Sequence, residues 1–534
     1  MSLTGYLRAA ELPETFLDDF AAWIDSWFGN IASGFESVIL WGFEGQDDIP
    51  IRIVVLWSII AAIGFTIYFK GVQFTGFTTA LEAVRGKWSK KDDPGEISHF
   101  QALSAALSGT VGLGNIGGVA AALYLGGPGA TFWMIVIGLF AMCTKLVECT
   151  LGVKYRYIDE DGVVHGGPFQ YLKVAFRKLG TVPVAIITGV FAISIIAFGV
   201  GGGGMYQTNQ VMMQTISITG GETSPLATGA GALIFGIIFA ALIGLVIIGG
   251  VKSLGRVAGT LVPIMAVVYV ASGLIVLLVN ITNIPAAFGE IISGAFSPEA
   301  GFGGIIGVII MGAQRAAFSN EAGIGSAPIA HAAVKTKRPA SEGFVAALEP
   351  FIDTVVVCTM TALVIMLAFP DYVERHAAGE LTGAVSDTSD AFETVLPWFP
   401  YLLFFAVVCF AFSSIVTWAY YGNQAWRHLF GKSDLKDNIF RSIVLVFVVL
   451  GCLTSFGSIL DFADAALFLC IFINVIGCVI LAPKVKKEIQ SYVAARKAGT
   501  LLEDPEEDSQ EDKEAYAFIA ATMRGQKSTD SASL

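Results

Sequence analysis

Long apolar stretches alternate with short polar segments along most of the chain. A stretch of about 20 apolar residues is long enough to cross the hydrocarbon core of a bilayer as an α-helix. Such stretches lie near residues 50–74, 98–126, 129–153, 180–212, 228–250, 257–280, 303–330, 343–369, 397–424, 439–456 and 461–482. The pattern predicts an all-α polytopic membrane protein with about eleven transmembrane helices.

The two ends of the chain depart from this pattern. Residues 1–48 form an acidic, amphipathic segment that we expect to lie on the membrane surface. Residues 484–534 form a charged tail that we expect to be largely disordered, apart from a short helix at 515–523. The chain between them divides into a leading span with its basic loop, 49–97, and two halves, 98–280 and 281–483.

Lysine and arginine residues collect in alternate loops. They follow the first, third, fifth, seventh, ninth and last predicted spans, whereas the intervening loops hold only Arg375. Basic loops are expected on the cytoplasmic side of a membrane. This places the N-terminus outside and the C-terminus in the cytoplasm, in a multi-pass protein of the cell (inner) membrane.

Composition supports the membrane assignment and excludes other classes. The chain is 54% hydrophobic and 14% charged, whereas soluble domains carry about 25% charged residues. The net charge of −12 does not suit nucleic-acid binding. The seven cysteines lack the spacing of metal ligands, and the five histidines are scattered near span ends and loops. We therefore expect no cofactor.

Glycines interrupt the second predicted span. The run from Gly109 to Gly118 also contains Thr110 and Asn115, whose side chains can bind ligands. Each glycine in a helix interior costs roughly 1 kcal/mol relative to alanine. Unwound backbone at membrane depth is tolerated only where it lines a cavity or binds something. Broken helices of this kind hold substrate and ion in many secondary transporters.

A second interruption lies five spans later. The segment 318–328 repeats the pattern Gly-Xaa-Gly near an asparagine. Because five is an odd number, the two halves of the chain would have opposite orientations, which is the arrangement of an inverted repeat. The alternative is that these small residues only permit tight helix packing. We number the span that holds Gly112 as core helix 1, so that the second interruption lies in core helix 6.

A break in core helix 1 would offer two kinds of binding group. The N–H groups of Gly112, Leu113 and Gly114 would begin a half-helix, whose positive dipole end attracts a carboxylate. Backbone carbonyls before the break would be free to coordinate a hard cation such as Na⁺, which prefers oxygen ligands. The predicted Na⁺ ligands of this helix are Ser108, Thr110, Val111 and Asn115.

Core helices 3, 6 and 8 supply further polar candidates. Gln207 or Asn209 of core helix 3 is expected to face the pathway, although either could cap the helix. Trp418 of core helix 8 could form a rigid wall for the substrate, or an interfacial anchor. The other predicted ligands are Ser413, Ser414 and Thr417 for Na⁺, and Ser319, Asn320, Asn115 and Ser414 for the substrate.

Charged residues within the spans are expected to be paired and functional. We expect a structural or gating role for Arg315 and Glu321 of core helix 6. Lys145 and Glu148 have the i, i+3 spacing of a local ion pair. The other two carboxyls, Glu349 and Asp353, are expected to pair with lysine or arginine elsewhere, or to couple transport to protons.

Several of these stretches resemble the alanine or glycine:cation symporter family. The similarity covers roughly 50–485 and is most specific at 98–103, 112–116, 126–134, 319–328 and 420–422. The resemblance implies uptake of alanine, glycine and related small amino acids with Na⁺, sometimes with H⁺. It also implies a five-plus-five inverted-repeat core with broken helices 1 and 6 and one extra leading span.

The resemblance assigns roles to particular residues. The family's substrate-facing glutamine would be Gln207, and its polar–tryptophan pair would be Ser414 and Trp418. Many members have threonine at the positions of Leu113 and Ser414, so selectivity can differ here. The implied partners are an amino acid, Na⁺ and the lipid bilayer; the sequence carries no signal for the oligomeric state.

Two other classes of membrane protein fit the sequence less well. An integral membrane enzyme would need a cluster of His, Asp or Glu or a set of metal ligands at one depth, which the spans do not offer. An ion channel would rely on pore loops and subunit symmetry. The sequence therefore favours a Na⁺-coupled symporter of alanine, glycine or serine, with an H⁺-coupled symporter as the alternative.

Overall fold

Nearly all of the described chain is helical in the computed structural model. It describes residues 16–43, 51–90, 92–159, 162–247, 251–296, 301–505 and 508–531. Two short antiparallel hairpins accompany the helices: β1 (Gly42–Phe43) pairs with β2 (Ile51–Arg52), and β3 (Tyr157–Ile158) pairs with β4 (Val164–His165). The predicted all-α class is therefore confirmed for these residues.

The helices follow the predicted spans closely. In chain order they are α1 (Phe16–Ile39), α2 (Ile53–Tyr68), α3 (Val72–Thr75), α4 (Phe77–Val84), α5 (His99–Thr110), α6 (Leu113–Gly126), α7 (Gly129–Lys154), α8 (Pro168–Phe176), α9 (Thr181–Val200), α10 (Tyr206–Ile218), α11 (Gly229–Ile247), α12 (Val251–Val279), α13 (Ile284–Ala295), α14 (Gly301–Asn320), α15 (Ala327–His331), α16 (Pro339–Ala346), α17 (Leu348–Pro350), α18 (Thr359–Ala368), α19 (Tyr372–Ala377), α20 (Val385–Glu393), α21 (Phe399–Phe430), α22 (Asp434–Leu453), α23 (Phe456–Ala498) and α24 (Gln510–Ser531).

Two helices contain wider π-helical turns. Gly201–Met205 joins α9 to α10, so that these helices form one continuous rod, and Phe351–Cys358 joins α17 to α18. Such turns are rare and occur frequently at functional sites. They lie in core helices 3 and 7 of the predicted numbering.

Within the described residues, six helices are long and apolar enough to cross a membrane. The number rises to eight when each of two bent pairs, α5 with α6 and α12 with α13, is counted as one span. Each of the eleven predicted spans coincides with a helix or a broken helix, but α2 has only 16 residues. The chain is a multi-pass membrane protein, and the number eleven stays a prediction.

Lipid-facing surfaces are visible on the outer helices. Ile186 and Ile193 on α9, and Leu242 and Leu245 on α11, are each more than half exposed. A soluble protein rarely leaves so many large aliphatic side chains together in water. By contrast, most of α6, α7 and α21 is buried, so these helices form the centre of the bundle.

The N-terminal helix docks against the bundle, which its amphipathic pattern did not predict. Its buried face carries Ile24 and Phe28, and it packs against α23. Asp25 accepts a hydrogen bond from the Ser455 backbone N–H at 2.7 Å, at the start of α23. Asp18 accepts one from the Gly229 N–H at 2.6 Å, at the start of α11. The acidic residues therefore stabilise helix N-termini.

The prediction of a disordered tail was wrong for its described residues. Helix α23 continues to Ala498, and α24 covers the segment that was expected to hold only a short helix. Lys484 lies 2.6 Å from Glu511, and Lys154 lies 2.7 Å from Glu488. The acidic tail is ordered because it meets lysines of the bundle. We call this end of the bundle, where the lysine- and arginine-rich loops lie, the basic end.

Candidate functional site

Core helix 1 is interrupted where its glycines predicted. Helix α5 ends at Thr110 and α6 begins at Leu113, with a bend of 41° between them. The intervening Val111 and Gly112 are extended. Asn115 accepts a hydrogen bond from the Gly112 N–H at 2.7 Å. Its side-chain oxygen thereby satisfies one free donor at the start of α6.

Core helix 6 is interrupted over six residues. Helix α14 ends at Asn320 and α15 begins at Ala327. The backbone turns through positive φ at Glu321 (56°), Gly323 (87°) and Gly325 (87°). Glycine adopts this region without strain, whereas a glutamate there is uncommon and marks a position held by its surroundings.

The two interruptions meet inside the bundle. A Cβ added at Gly114 would lie 3.3 Å from the Ser319 Cα, so the two backbones are in close contact. Asn115 donates a hydrogen bond to Ser319 Oγ at 3.1 Å, across 204 positions of the chain. Predicted substrate ligands from both halves therefore lie side by side.

A buried aspartate joins this meeting point. Asn115 donates to Asp353 Oδ1 at 2.6 Å, and Ser319 and Thr354 donate to Asp353 Oδ2 at 2.6 and 2.8 Å. These donors are all neutral, so the prediction that Asp353 pairs with lysine or arginine was wrong. Asn320 extends the cluster by donating to Thr354 at 3.0 Å.

Three of the predicted Na⁺ ligands form a second cluster. Ser414 Oγ lies 3.3 Å from the Ser108 carbonyl, and the Ser108 and Thr417 hydroxyls lie 3.2 Å apart. A Cβ at Gly112 would lie 3.2 Å from Ser414 Oγ, which places the break directly beside the cluster. The arrangement collects carbonyl and hydroxyl oxygens, the ligands that hard cations prefer.

The other predicted Na⁺ ligands are placed differently. Thr110 and Ser413 direct their hydroxyls to carbonyls of their own helices, at 3.4 and 2.9 Å. Val111 lines a cavity of about 10 Å³ together with Gly112 and Asn115. That volume suits one water molecule at most. The structure therefore does not bring Thr110 and Ser413 into the cluster.

Trp418 is fixed in the core beside the second interruption. It is 2% exposed, and its indole N–H donates to Glu321 Oε1 at 2.9 Å. Its ring lies edge-on to Phe198, with centroids 4.6 Å apart. A Cβ at Gly203 would lie 2.4 Å from the Trp418 Cβ, so only glycine fits there. Trp418 is thus a packed core residue and not an interfacial anchor.

Gln207 and Asn209 have different surroundings. The amide nitrogen of Gln207 donates to the Gly202 carbonyl at 3.2 Å, but its Oε1 is buried without a hydrogen-bond partner. Asn209 instead donates to the carbonyls of Gly451 and Thr454 at 3.2 and 3.1 Å. Of the two, Gln207 has the spare acceptor that a ligand could satisfy.

Two contacts near the site carried no clear sequence signal. The Tyr206 hydroxyl donates to the Leu113 carbonyl at 3.4 Å and so links core helix 3 to the break. Arg315 forms a buried ion pair with Asp464 of α23. The sequence indicated that Arg315 has a charged partner, because charges within a membrane are usually paired, but it did not identify Asp464 as that partner.

Another group of buried charges lies towards the basic end. Lys145 is 3.0 Å from Glu349 but 4.0 Å from Glu148, so the predicted local pair is its weaker contact. Glu349 also contacts His331 at 2.5 Å. The expected pairing of Glu349 with a lysine is confirmed, whereas the histidine contact was not expected.

Comparison with known proteins adds evidence on the family of this chain. Residues 41–507 match the family described as the sodium:alanine symporter family. The sodium/alanine symporter AgcS of Methanococcus maripaludis is 39% identical over 423 residues, which cover 78% of this chain and 89% of AgcS. The probable sodium/glutamine symporter GlnT of Bacillus subtilis is 32% identical, over 83% of this chain and 90% of GlnT.

Two further similarities concern coupling and fold. The putative sodium/proton-dependent alanine carrier protein YrbD of Bacillus subtilis is 32% identical, over 83% of this chain and 92% of YrbD. The crystal structure of MhsT in complex with L-phenylalanine superposes with a TM-score of 0.51 at 17% identity, over 81% of this chain and 99% of MhsT. At that identity the likeness concerns the fold.

Proposed function

The chain belongs to the sodium:alanine symporter family, and we propose that it moves a small neutral amino acid together with Na⁺ by alternating access. Alanine, glycine and serine are the proposed substrates. The family makes the chain a transporter and not an enzyme. The meeting of two interrupted helices at Asn115 and Ser319 carries the proposal, because it brings polar groups of both interruptions together in the core, where a zwitterion and a cation can bind.

The proposed substrate site holds the two ends of the amino acid separately. The backbone N–H groups of Leu113 and Gly114 receive the carboxylate at the start of α6, because the Gly112 N–H is already bonded to Asn115. The spare Oε1 of Gln207 accepts a hydrogen bond from the ammonium group. Trp418 bounds the space for the side chain. Ser319 and Asn320 complete the site from core helix 6, and Ser414 completes it from core helix 8.

The proposed Na⁺ site uses the second cluster. The carbonyl of Ser108 and the hydroxyls of Ser414 and Thr417 supply neutral oxygen ligands. The negative charge of Asp353 is held by Asn115 and Ser319 and favours a cation nearby.

H⁺ coupling is the second candidate. Asp353 favours it, because a buried carboxylate with only neutral hydrogen-bond donors is a suitable proton acceptor.

The proposed orientation follows from the basic loops. The basic end faces the cytoplasm of a cell whose inner membrane holds the protein, with the N-terminus outside. The core is proposed to consist of two inverted repeats of five helices preceded by one extra span. The Arg315–Asp464 pair then lies on the outer side of the site and restricts access from outside.

Transport in proteoliposomes tests the proposal. Radiolabelled alanine should accumulate when Na⁺ is imposed outside at equal pH, and preloaded alanine should accelerate its uptake by counterflow. Glycine and serine should compete, whereas leucine should not. If preloaded alanine does not accelerate uptake either with or without Na⁺, the protein is not a carrier of alanine. Uptake that depends only on a pH gradient would replace Na⁺ with H⁺.

A further inference from the structure

Five buried ionisable side chains form a continuous chain near the basic end, which we call the histidine–carboxylate network. His99 contacts Glu342 through its Nδ1. Glu342 contacts His331 Nδ1 at 2.5 Å, and His331 Nε2 contacts Glu349 at 2.5 Å. Glu349 ends the chain at Lys145, 3.0 Å away. The five side chains are at most 3% exposed.

The network links the basic-end halves of both interrupted helices. His99 is the first residue of α5, and His331 is the last residue of α15. Their shared partner Glu342 lies in α16, and Glu349 lies in α17. The contacts of Glu342 therefore tie α5 and α15 to core helix 7.

The charges of the network do not balance without protons. Three buried carboxyls, those of Glu342, Glu349 and Glu148, are accompanied by a single lysine, Lys145, which lies 3.0 Å from Glu349 and 4.0 Å from Glu148. An unpaired buried charge is strongly unfavourable. Imidazole is the side chain whose ordinary pKa lies closest to neutral pH. Protons on His99 and His331 would supply the missing positive charge.

Other titratable groups within electrostatic reach do not remove this need. They are Glu148 and Cys149 of α7, Arg156 after it, Asp93 before α5, Arg338 before α16, Glu321 and Asp353 beside the transport site, Tyr421 of α21, and Glu82, Tyr492 and Arg496 near the α4–α23 contact. Among the described residues, none of these arginines forms an ion pair with Glu342 or Glu349. Arg156 donates to the carbonyls of Ala332 and Val334, and Arg496 donates to Glu82.

We propose that the histidine–carboxylate network is a proton-binding site whose occupancy determines whether α5 and α15 stay docked against core helix 7. With both imidazoles protonated, Glu342 bridges two cations and holds the half-helices together. When the protons leave, the carboxylates repel one another and the bridge is lost. The docked state is therefore favoured at low pH and weakens as the pH rises. The proposal depends on neither the substrate nor the coupling ion.

Hydrogen–deuterium exchange of the full-length protein in nanodiscs tests this proposal without any transport measurement. Protection factors of peptides covering 99–110 and 327–331 are measured at several pH values between 6 and 9, after correction for the intrinsic exchange rate. We expect them to fall by about tenfold or more over this range, because hydrogen bonds to charged groups are lost. Peptides from α11 should not change.

Variants assign the effect to the network. His99→Gln keeps a hydrogen-bonding side chain but cannot carry the proton, so protection of 99–110 should be low and independent of pH. Glu342→Gln should remove the pH dependence as well and serves as the second variant if His99→Gln does not fold. His165→Gln is the matched control, because His165 pairs with Asp159 at 2.9 Å on the surface.

Each result of the exchange experiment either supports or overturns the proposal. Protection factors of the wild type that do not depend on pH would overturn the proposal. The same follows if both network variants keep the pH dependence of the wild type. Loss of the dependence in either folded network variant, with its retention in His165→Gln, supports it.

Discussion

Trp418 and Glu321 lie 97 positions apart in the chain, and the indole N–H of the first donates to the carboxylate of the second at 2.9 Å. The bond joins the long helix α21 to the interrupted segment of core helix 6. Ser326 donates to the other oxygen of the same carboxylate at 2.7 Å. Glu321 therefore fixes both the wall of the proposed pocket and the start of α15.

Truncation of Trp418 should change substrate size selectivity. Trp418→Ala should admit larger amino acids and weaken alanine, because the pocket loses its wall. Trp418→Phe keeps most of the bulk but loses the bond to Glu321, at an expected loss of about 1–3 kcal/mol in alanine binding. Competition of unlabelled amino acids against alanine uptake measures both effects.

The matched control for this experiment is Trp426→Phe. Trp426 lies two turns further along α21, and its indole nitrogen has no hydrogen-bond partner. Trp426→Phe should leave the substrate selectivity unchanged. If leucine competes as well as alanine in the wild type, or if Trp418→Ala does not alter the competition, another side chain forms the wall.

Loss of the Asn115 side chain should weaken binding of substrate, cation or both. Asn115→Ala leaves the Gly112 N–H, Ser319 and Asp353 without their shared partner. The expected cost is about 1–3 kcal/mol, because buried polar groups lose hydrogen bonds. Alanine affinity is measured by equilibrium binding at several Na⁺ concentrations.

Asn280→Ala serves as the control for Asn115. Among the contacts of the described residues, the side-chain amide of Asn280 bonds only to the Val276 carbonyl in the last turn of the preceding helix α12. Its replacement should leave both affinities unchanged. Affinities in Asn115→Ala equal to those of the wild type would reduce Asn115 to a packing residue.

Thr417 should affect Na⁺ more than alanine. Thr417→Val preserves shape but removes a hydroxyl that lies 3.2 Å from Ser108 Oγ. The Na⁺ concentration for half-maximal uptake should rise about tenfold, which corresponds to roughly 1.4 kcal/mol. Thr188→Val is the control, because the Thr188 hydroxyl bonds its own helix at Val184. An unchanged Na⁺ dependence would remove Thr417 from the cation site.

The tail helix α24 should dock in a pH-dependent way. The Lys484 ammonium lowers the pKa of the Glu511 carboxyl. Burial alone would raise the pKa of Asp512, but the Ser509 hydroxyl and the Lys154 ammonium outweigh it, and this pKa is lowered too. Carboxyls with lowered pKa values stabilise docking above the ordinary carboxyl pKa of about 4, and this stabilisation is lost as the pH falls.

A charge-neutral variant reproduces the acid form at neutral pH. Glu511→Gln combined with Asp512→Asn should increase the rate of tryptic cleavage after Lys513, and high salt should do the same to the wild type. Glu514→Gln, at an exposed neighbouring position, is the control. Equal cleavage rates in the double variant and the wild type would show that these ion pairs do not hold the tail.

The sequence predicted features that depend on local pattern. The glycines around Gly112 and Gly323 located both interruptions, and apolar runs located the helices, because helix-forming and helix-breaking tendencies are properties of short segments. Ser108 was a candidate because its carbonyl precedes the break, and Ser414 was a candidate because its hydroxyl can bind a cation. The sequence proposed both as ligands of one cation but did not predict their direct contact across 306 positions of the chain.

Long-range partners could not be predicted in this way. The position of Asp353 inside a predicted span indicated a charged partner, but the fold surrounds it with neutral donors from Asn115 and Ser319. His99 and Glu342 are 243 positions apart, so no local pattern joins them. The tail was expected to be disordered because its composition is polar, and its order depends on lysines elsewhere in the bundle.

The π-helical turn Gly201–Met205 sets the rotational phase of core helix 3. One extra residue in a turn advances every later side chain by about 100° around the helix axis. Gln207 lies two residues after this turn, so the direction of its amide depends on the number of residues in the turn and not only on their size. Deleting one glycine from the run 201–204 would restore regular winding and rotate Gln207 away from its present neighbours, while every amino acid after it stayed the same.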